Sequence, residues 1–391
     1  MRALASDERQ PVSLLQRERP LRADLMLVIP YLVLSAIGLL MIYSASVPRL
    51  EALGLDPTRE LKRQALFVVL GFIGFAVASL IDLKTLRGWV PIIYGATVVM
   101  LIIVLSPIGE KVQGAQRWIP IGPYQFQPSE FAKLAVVLAL ASLIVSAGRP
   151  PLSWHWVARA VVLVLVPAVL IFFQPDLGTM LSFAMILIVM LFAGAATWRQ
   201  IAFLAVTAVV GTVALFQVGA IKAYQITRLT AFLDPAADPQ GAGFNLLQSE
   251  IAIGTGGLTG RGLFQGSQTN LRFIPEQSSD FIFTAVAEQM GFIGATIVLV
   301  LFAIIIWRVL VAAANSRDRF GRLVAVGIAA LIAFHVFVNI GMTIRLMPVT
   351  GLPLPFMSAG GTVFVAMSVA LGLVHSVWLR RSPVRGERLV E

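Results

Sequence analysis

Long apolar runs are the feature that most constrains this chain. Runs of about eighteen or more apolar residues recur along the whole sequence, and each is long enough to cross a hydrocarbon layer as a helix. Hydrophobic residues make up 58% of the 391 residues and charged residues only 13%, which excludes an ordinary soluble domain. The short alternating strands of a membrane barrel do not appear. We therefore predict an all-α polytopic membrane protein.

The apolar runs predict about ten transmembrane helices in a single domain over residues 1–391. No internal repeat or linker divides the chain. The segment 220–279 is predicted as a large extracytoplasmic loop between the seventh and eighth helices. The predicted spans are 25–44, 65–82, 89–105, 130–146, 157–173, 178–194, 200–219, 280–308, 323–343 and 359–379.

The distribution of basic residues predicts that both termini are cytoplasmic. In this orientation most Lys and Arg residues fall in inner segments, including the basic N-terminus 1–24 and the tail 380–391. This is the pattern of the positive-inside rule. We therefore attribute the formal net charge of +10 to membrane topology, and we predict no nucleic-acid partner. The first outer loop goes against the rule, because it carries four basic residues: Arg49, Arg59, Lys62 and Arg63.

Three outer segments have unusual composition. Residues 106–129 are polar and rich in Gly and Pro, which predicts a loop lying on the membrane surface. The glycine-rich stretch 251–270 implies a backbone that turns sharply or lies close to another part of the protein. The apolar stretch 244–253 favours partial insertion over disorder. Residues 346–361 resemble a broken-helix element, which must line a cavity or be covered by protein.

Ionisable residues at span edges are costly and are therefore candidates for function. Glu130 and Lys133 are three residues apart on one helix, so they share a face and can pair. The pair either pins two helices together or provides a cationic lining for an anionic lipid. Asp176 lies in a very short connection, where capping of the next helix is the favoured role, although it can also shape a cavity mouth.

Asp280 is the preferred catalytic candidate. Counting back from the inner end of the eighth span as a straight helix places Glu288 at the outer hydrocarbon boundary and Asp280 at headgroup depth. A helix N-cap is the alternative role for this carboxylate. On the same outer side, four arginines are candidates for binding a diphosphate, and for the last two a surface position is the favoured alternative: Arg117, Arg228, Arg261 and Arg345.

Several kinds of site are excluded by residues that the sequence lacks. The absence of cysteine excludes disulfides, thiolate metal sites and thiol nucleophiles. His155, His335 and His375 have no HExxH-type spacing, which argues against a histidine metal site. No GxxxxGK[ST] pattern occurs, so no nucleotide is predicted and an ATP-driven pump is disfavoured.

Six segments together resemble one known family. They are GAQRWIPIG with QPSEFAK at 114–133, QPDLGT at 174–179, YQITRLTAFLDP at 224–235, GFNLLQSEIAIGTGGLTGRGL at 243–263, FIPEQSSDFIFTAVAEQMGFIG at 273–294 and NIGMTIRLMPVTGLPLPFMSAGG at 339–361. In this order they resemble the SEDS proteins (shape, elongation, division and sporulation), which are peptidoglycan glycosyltransferases. GM followed by PVTG is similar to the elongation branch, RodA, rather than to the division branch, FtsW.

The resemblance implies polymerisation of lipid II at the outer face of the bacterial cytoplasmic membrane, with β-1,4 linkage and release of undecaprenyl diphosphate. Asp280 carries over as the catalytic carboxylate. Substrate-binding roles carry over to Arg117, Glu130, Lys133, Asp176, Gln225 and Arg228. A divalent cation, Mg²⁺ or Mn²⁺, is a candidate cofactor held without a protein-built metal site. A class B penicillin-binding protein, lipid II and membrane lipids are the implied partners.

The chain departs from the family pattern at three places. Relatives commonly have HTD where this chain has Ser278, Ser279 and Asp280, and Arg345 and Ala359 are also unusual. Two other classes of function stay open on the sequence alone. A flippase would move lipid II without making a bond, and a scaffold would support wall synthesis without catalysis.

Overall fold

The computed structural model describes residues 23–112, 115–148, 150–219, 223–235, 238 and 241–381. Most of the basic N-terminus and of the C-terminal tail therefore lies outside the described residues. Within the described part, eight helices are long and apolar enough to cross a membrane: α1 (Leu25–Ala52), α2 (Arg59–Leu80), α3 (Leu83–Leu105), α4 (Pro128–Ser146), α5 (Trp154–Phe173), α11 (Ile282–Ala314), α12 (Arg319–Thr343) and α13 (Gly361–Leu379).

Two shorter apolar helices, α6 (Leu177–Ala193) and α7 (Trp198–Gln217), match the other two predicted spans. The predicted all-α polytopic membrane fold is therefore confirmed. Three more helices lie between α7 and α11, in the segment predicted as the large loop: α8 (Ala223–Leu233), α9 (Ala242–Gly256) and α10 (Ser267–Asn270). Because consecutive spans alternate in direction, the starts of α2, α4, α6, α11 and α13 share one end of the molecule.

The segment 106–129 forms a small antiparallel sheet, and its prediction as a loop is wrong. Its strands are β1 (Glu110–Val112), β2 (Ala115–Ile121) and β3 (Tyr124–Phe126), paired in the order β1-β2-β3. Gly122 has a φ of 60° in the turn between β2 and β3, a conformation that favours glycine. Strands this short, in a polar segment rich in Gly and Pro, have no hydrophobic pattern that distinguishes them from a loop. The end of the molecule that carries this sheet is called the sheet end below.

The first two helices are longer than their predicted spans. Helix α1 continues to Ala52 instead of ending at residue 44, and α2 begins at Arg59 instead of residue 65. Apolar composition marks only the part of a helix that lies in lipid, and a helix can extend beyond it. Most of the predicted first outer loop is consequently helical, and Arg49, Arg59 and Arg63 lie on helices.

Helix α11 is broken at Gly291, so the straight-helix count that placed Asp280 is wrong. Gly291 has a φ of 66° and a ψ of −164°, inside what is otherwise one helix from Ile282 to Ala314. A Cβ there would clash with the backbone nitrogen of Gly260. The Phe292 and Ile293 amides donate to the Gly257 and Leu258 carbonyls at 2.8 and 3.1 Å. The glycine-rich stretch therefore lies against the break, as its composition predicted.

Helices α4, α12 and α13 form the enclosed centre of the protein, and α2 packs against α13. The end opposite the sheet is fixed by a buried ion pair. Arg308 Nη2 on α11 lies 2.9 Å from Asp24 Oδ2 at the start of α1, and the guanidinium stacks over the ring of Trp378. This ion pair and the Trp378 contact hold α1, α11 and α13 together at the end opposite the sheet.

Candidate active site

Asp280 lies at the sheet end, in the turn just before α11. The side-chain amide of Asn339 donates to the Asp280 carbonyl at 2.8 Å and to the Leu352 carbonyl at 2.7 Å. Asn339 therefore joins α12 to both backbones. The N-cap of α11 is Phe281, and no side chain caps this helix. The alternative prediction of an N-cap role for Asp280 is thus wrong, and its carboxylate is available for another task.

The Asp280 carboxylate lies between charges of both signs. Its burial raises the pKa to about 6, and the neighbouring Glu276 carboxylate adds to the rise. Arg228 and Arg117 act in the opposite direction. A carboxyl with this pKa is mostly ionised at neutral pH and is still basic enough to accept a proton, which is the balance that a general base requires.

Gly351 provides close access to this carboxylate. A Cβ at position 351 would lie 3.4 Å from Asp280 Oδ2 and 3.9 Å from Arg228 Nη1. Gly351 also has a φ of 74°, which disfavours any other residue. A side chain at this position would fill the space directly beside the Asp280 carboxylate and the Arg228 guanidinium.

Arg117 is held on strand β2 by the turn between α5 and α6. Its Nε donates to the Gln174 carbonyl at 3.1 Å, and its Nη2 donates to the Pro175 carbonyl. Gln174 is itself buried and donates to the Leu101 carbonyl at 3.2 Å. These bonds fix the guanidinium where its charge acts on Asp280. Arg228 reaches the same carboxylate from α8.

The predicted ion pair between Glu130 and Lys133 is present and fully buried. Lys133 Nζ lies 2.8 Å from Glu130 Oε1 and 3.0 Å from His335 Nε2. His335 Nδ1 lies 3.1 Å from the Pro353 carbonyl. Because a carbonyl only accepts, Nδ1 carries the proton and Nε2 accepts from the ammonium. Glu130 Oε2 has no hydrogen-bond partner within the described part of the chain.

Asp176 caps α6, as predicted. Its Oδ1 accepts from the Thr179 amide at 3.2 Å, and its Oδ2 accepts from the Thr179 hydroxyl at 3.0 Å. Two residues further, α6 packs tightly against the chain after α12. A Cβ at Gly178 would lie 2.7 Å from Leu352 Cγ and 3.1 Å from the Thr350 carbonyl.

Residues 350–353 contact α6, α12, Asp280 and Arg228, and we call them the hub segment. Thr350 meets α6, Gly351 meets Asp280 and Arg228, Leu352 accepts from Asn339, and Pro353 accepts from His335. The hub segment belongs to the Pro- and Gly-rich element 346–361, which the sequence predicted to line a cavity or be covered by protein. Two of its backbone carbonyls, those of Leu352 and Pro353, accept from polar side chains of α12, as expected for a non-helical segment covered by protein.

Comparisons with known proteins identify the family of this chain. A family model, FTSW_RODA_SPOVE, described as "Cell cycle protein", matches residues 24–382. The chain belongs to this family. Peptidoglycan glycosyltransferase MrdB of Escherichia coli (strain K12) is 38% identical over 314 residues, covering 80% of this chain and 84% of the relative. Stage V sporulation protein E of Bacillus subtilis (strain 168) is also 38% identical, over 90% of this chain and 96% of the relative.

A solved structure, from "Structural coordination of polymerization and crosslinking by a peptidoglycan synthase complex", is similar to this chain with a TM-score of 0.76. It is 31% identical and covers 91% of this chain and 97% of that chain. The SEDS family predicted from the motifs is therefore confirmed. Identity does not separate the branches, because the sporulation relative is as similar as MrdB.

Three other candidate residues from the sequence, Arg345, Arg261 and Glu288, make contacts with other parts of this SEDS chain. Arg345 pairs with Glu250 at 3.5 Å, and Arg261 donates to the Thr255 carbonyl at 3.0 Å, both at partly exposed positions. Glu288 is buried and accepts from the Thr269 amide at 3.1 Å, so it holds α10 in place. Gln225 falls on α8, but its side chain lies outside the described residues. Its binding role stays a prediction.

Sequence reasoning missed three residues of the site: His335, Asn339 and Gly351. His335 was considered only as a metal ligand, and its bond to Lys133 was not foreseen. A signal was present, because His335 and Asn339 are four residues apart in an apolar helix and therefore share one face. Polar residues on one face of a buried helix indicate a polar partner, which is the hub segment. The contact of Gly351 has no local sequence signal.

The hub segment yields a first testable prediction. Gly351→Ala is expected to lower the rate of polymer formation about tenfold or more, because its Cβ occupies the space beside the Asp280 carboxylate. Gly122→Ala is the matched control, since Gly122 also has a positive φ but has no atom within 4 Å of its added Cβ. Both variants carry backbone strain of about 1 kcal/mol, visible as a lower melting temperature. Equal activity of the two variants would contradict the role given to Gly351.

Proposed function

We propose that this chain, a peptidoglycan glycosyltransferase by family, polymerises lipid II and uses Asp280 as the general base. The observation that carries the proposal is the position of the Asp280 carboxylate, half-buried, within the field of two arginines and beside a glycine that leaves space for a substrate. Polymer formed from lipid II by the purified protein is the direct test.

The reaction step needs a proton acceptor and an anion-stabilising group. The acceptor 4-hydroxyl gives its proton to Asp280, and its oxygen attacks C1 of the donor sugar. The bond between C1 and the diphosphate oxygen breaks, and the electron pair leaves with undecaprenyl diphosphate. Arg117 and Arg228 stabilise the charge that develops on the leaving group. Energy for the step comes from the diphosphate linkage, so no nucleotide is required.

The divalent cation inferred from the family stays a proposal. Within the described ranges, no group of three or more His, Asp or Glu side chains could hold a metal ion. A cation bound mainly by diphosphate oxygens, with one or two carboxylates of the chain, needs no such group. The proton transfer and the stabilisation of the leaving group described above use only side chains of the chain.

The pH dependence of polymerisation follows from the pKa of Asp280. Burial raises this pKa to about 6, so the base is lost by protonation as the pH falls through 6. We expect kcat/KM to be constant above about pH 7 and to fall about tenfold per pH unit well below 6. Initial rates between pH 5 and about pH 8.5, with lipid II in detergent, measure this profile.

Arg228→Gln provides a check on the assignment of the pH profile. The positive charge of Arg228 lowers the pKa of Asp280, so its removal should move the acidic limb to higher pH. Arg261→Gln is the matched control, because this exposed guanidinium is bonded to the Thr255 carbonyl, away from the site. A limb that does not move in Arg228→Gln, or that moves equally in both variants, would assign the titration to another group.

We also propose that the chain works in cell elongation, with a class B penicillin-binding protein as partner. The PVTG sequence at 348–351 supports the elongation branch. The similar structure comes from a peptidoglycan synthase complex, which supports a transpeptidase partner. We place the chain in the cytoplasmic membrane with cytoplasmic termini and an extracytoplasmic site. Co-purification with the elongation transpeptidase in preference to the division one tests the branch.

A further inference from the structure

A second cavity lies beside the Asp280 site at the sheet end. It has a volume of about 730 Å³ and lies between the end of α1, the start of α2, residues 269–279 and the start of α13. Strand β2 forms part of its wall. Trp118 lines the cavity, while the preceding residue, Arg117, is bonded to the α5–α6 turn. Ser279 lines the cavity too, so the cavity ends one residue before Asp280.

The charges of this cavity are unbalanced. Two carboxylates, Glu60 and Glu276, line it together with four arginines: Arg49, Arg59, Arg63 and Arg272. In the part of the chain that the structure describes, none of the four arginines forms a salt bridge. Three of them are the outer-loop residues that went against the positive-inside rule. The cavity, rather than topology, accounts for their presence.

The positions of these arginines are unfavourable without a bound anion. Arg59 and Arg63 are four residues apart on α2, where like charges repel. They also lie in the first turns of the helix, where the macrodipole favours negative charge. Arg272 has a φ of 60°, which costs free energy for a non-glycine residue. An anion in the cavity would offset all three costs.

Lys62 shows that a carboxylate partner is available nearby. Its Nζ lies 2.8 Å from Asp56 Oδ2, and this exposed pair is not part of the cavity lining. Among the described residues, the neighbouring Arg59 and Arg63 make no such pair. Lys62 has the same charge as Arg59 and Arg63 and lies in the same segment, but it is exposed, paired with Asp56 and outside the cavity. It is therefore a suitable control.

The proposed reaction brings together two lipid-linked sugars, and each carries a diphosphate. The donor diphosphate is bonded to the carbon that is attacked, so it must lie beside Asp280, near Arg117 and Arg228. The acceptor hydroxyl lies one disaccharide away from its own diphosphate. The second diphosphate therefore needs a cationic site near Asp280 but separate from it, which is where the arginine cavity lies.

We propose that the arginine cavity binds the diphosphate of the acceptor lipid. The proposal rests on the polymerase function proposed above. Arg49, Arg59, Arg63 and Arg272 bind the diphosphate oxygens, and Leu50, Leu53 and Leu55 give the same cavity an apolar wall. The chain thus has two diphosphate sites, one beside Arg117 and one beside Trp118, the next residue of strand β2.

Binding stoichiometry tests the proposal without catalysis. The purified protein, in phosphatidylcholine nanodiscs, is titrated with undecaprenyl diphosphate, and bound copies are counted by native mass spectrometry. We expect two copies on the wild type. The double variant Arg59→Gln/Arg63→Gln should bind the second copy about tenfold or more weakly, because charge-assisted contacts are lost. Lys62→Gln should bind as the wild type does. A melting temperature equal to that of the wild type excludes misfolding.

Several results would overturn the proposal. These are one bound copy on the wild type, unchanged binding by the double variant, or an equal loss in Lys62→Gln. Arg49→Gln, on a different helix, gives an independent measurement and should also weaken only the second copy. Displacement of the second copy by phosphatidylglycerol at equal concentration would show a general phospholipid site instead. If one copy binds and polymer still forms from lipid II, this inference fails while the proposed function stands.

Discussion

Neutralising one member of the Glu130–Lys133 pair is expected to lower the free energy of unfolding by about 3–5 kcal/mol. Both side chains are buried, with Nζ and Oε1 2.8 Å apart. In Glu130→Gln, the Lys133 ammonium keeps only His335 as a partner. In Lys133→Met, the Glu130 carboxylate loses its hydrogen bond and its counter-charge. The thermal unfolding midpoint of each purified variant measures this loss.

The double variant Glu130→Gln/Lys133→Met separates the two roles left open by the sequence. A helix-pinning pair predicts that stability largely returns, because no unpaired charge remains. Activity should return as well if pinning is the whole role. We expect stability to return but polymerisation to stay low, since Glu130 Oε2 and the Ser129 hydroxyl are buried without partners in the described structure.

The exposed pair Lys62–Asp56 provides the matched control for this experiment. It has the same N–O distance, 2.8 Å, but both side chains are largely exposed to solvent. Lys62→Met should change the unfolding midpoint very little, because solvent screens such pairs. Equal effects of Lys62→Met and Lys133→Met would contradict the importance assigned to burial.

The helices of this fold could be predicted from the sequence, because apolar runs and helix length are tied by the thickness of a membrane. The break at Gly291 could not be placed, since it depends on hydrogen bonds with the distant segment 257–262. The sheet at 110–126 was missed for a related reason. Strands of three to seven residues leave too short a pattern to distinguish from a loop.

Individual residues of the site could be predicted from the sequence, but the contacts between them could not. Motifs far apart in sequence named Asp280, Arg117 and Lys133, and the structure links all three through the hub segment or its neighbours. The bonds that link Asp280 and Lys133 to it start from Asn339 and His335, which no motif assigned a role. Their partners are backbone carbonyls, and a carbonyl carries no sequence signal.

Asp280→Asn is expected to slow polymerisation by about 100- to 10,000-fold, the range for loss of a general base. Asn has nearly the same shape, so contacts with Gly351 and Arg228 change little. The amide cannot accept the proton of the acceptor hydroxyl. Steady-state rates of lipid II consumption, with polymer resolved by length on a gel, measure the effect.

Stability distinguishes a catalytic role from a structural one at this residue. Folding raises the pKa of Asp280 to about 6, so the folded state binds this proton more tightly than the unfolded chain does. Ionising Asp280 therefore costs free energy in the folded state. The fold therefore loses stability as the pH rises through that value, and Asp280→Asn removes the penalty. We expect the melting temperature of the variant at pH 8 to equal or exceed that of the wild type. A large drop would indicate that the carboxylate mainly holds the fold together.

Polymer formation from lipid II by wild type and Asp280→Asn, purified in parallel and matched for melting temperature, tests the central claim most directly. We expect glycan polymer from the wild type and almost none from the variant at pH 7.5. Polymer made by both proteins at similar rates would show that Asp280 is not the catalytic base.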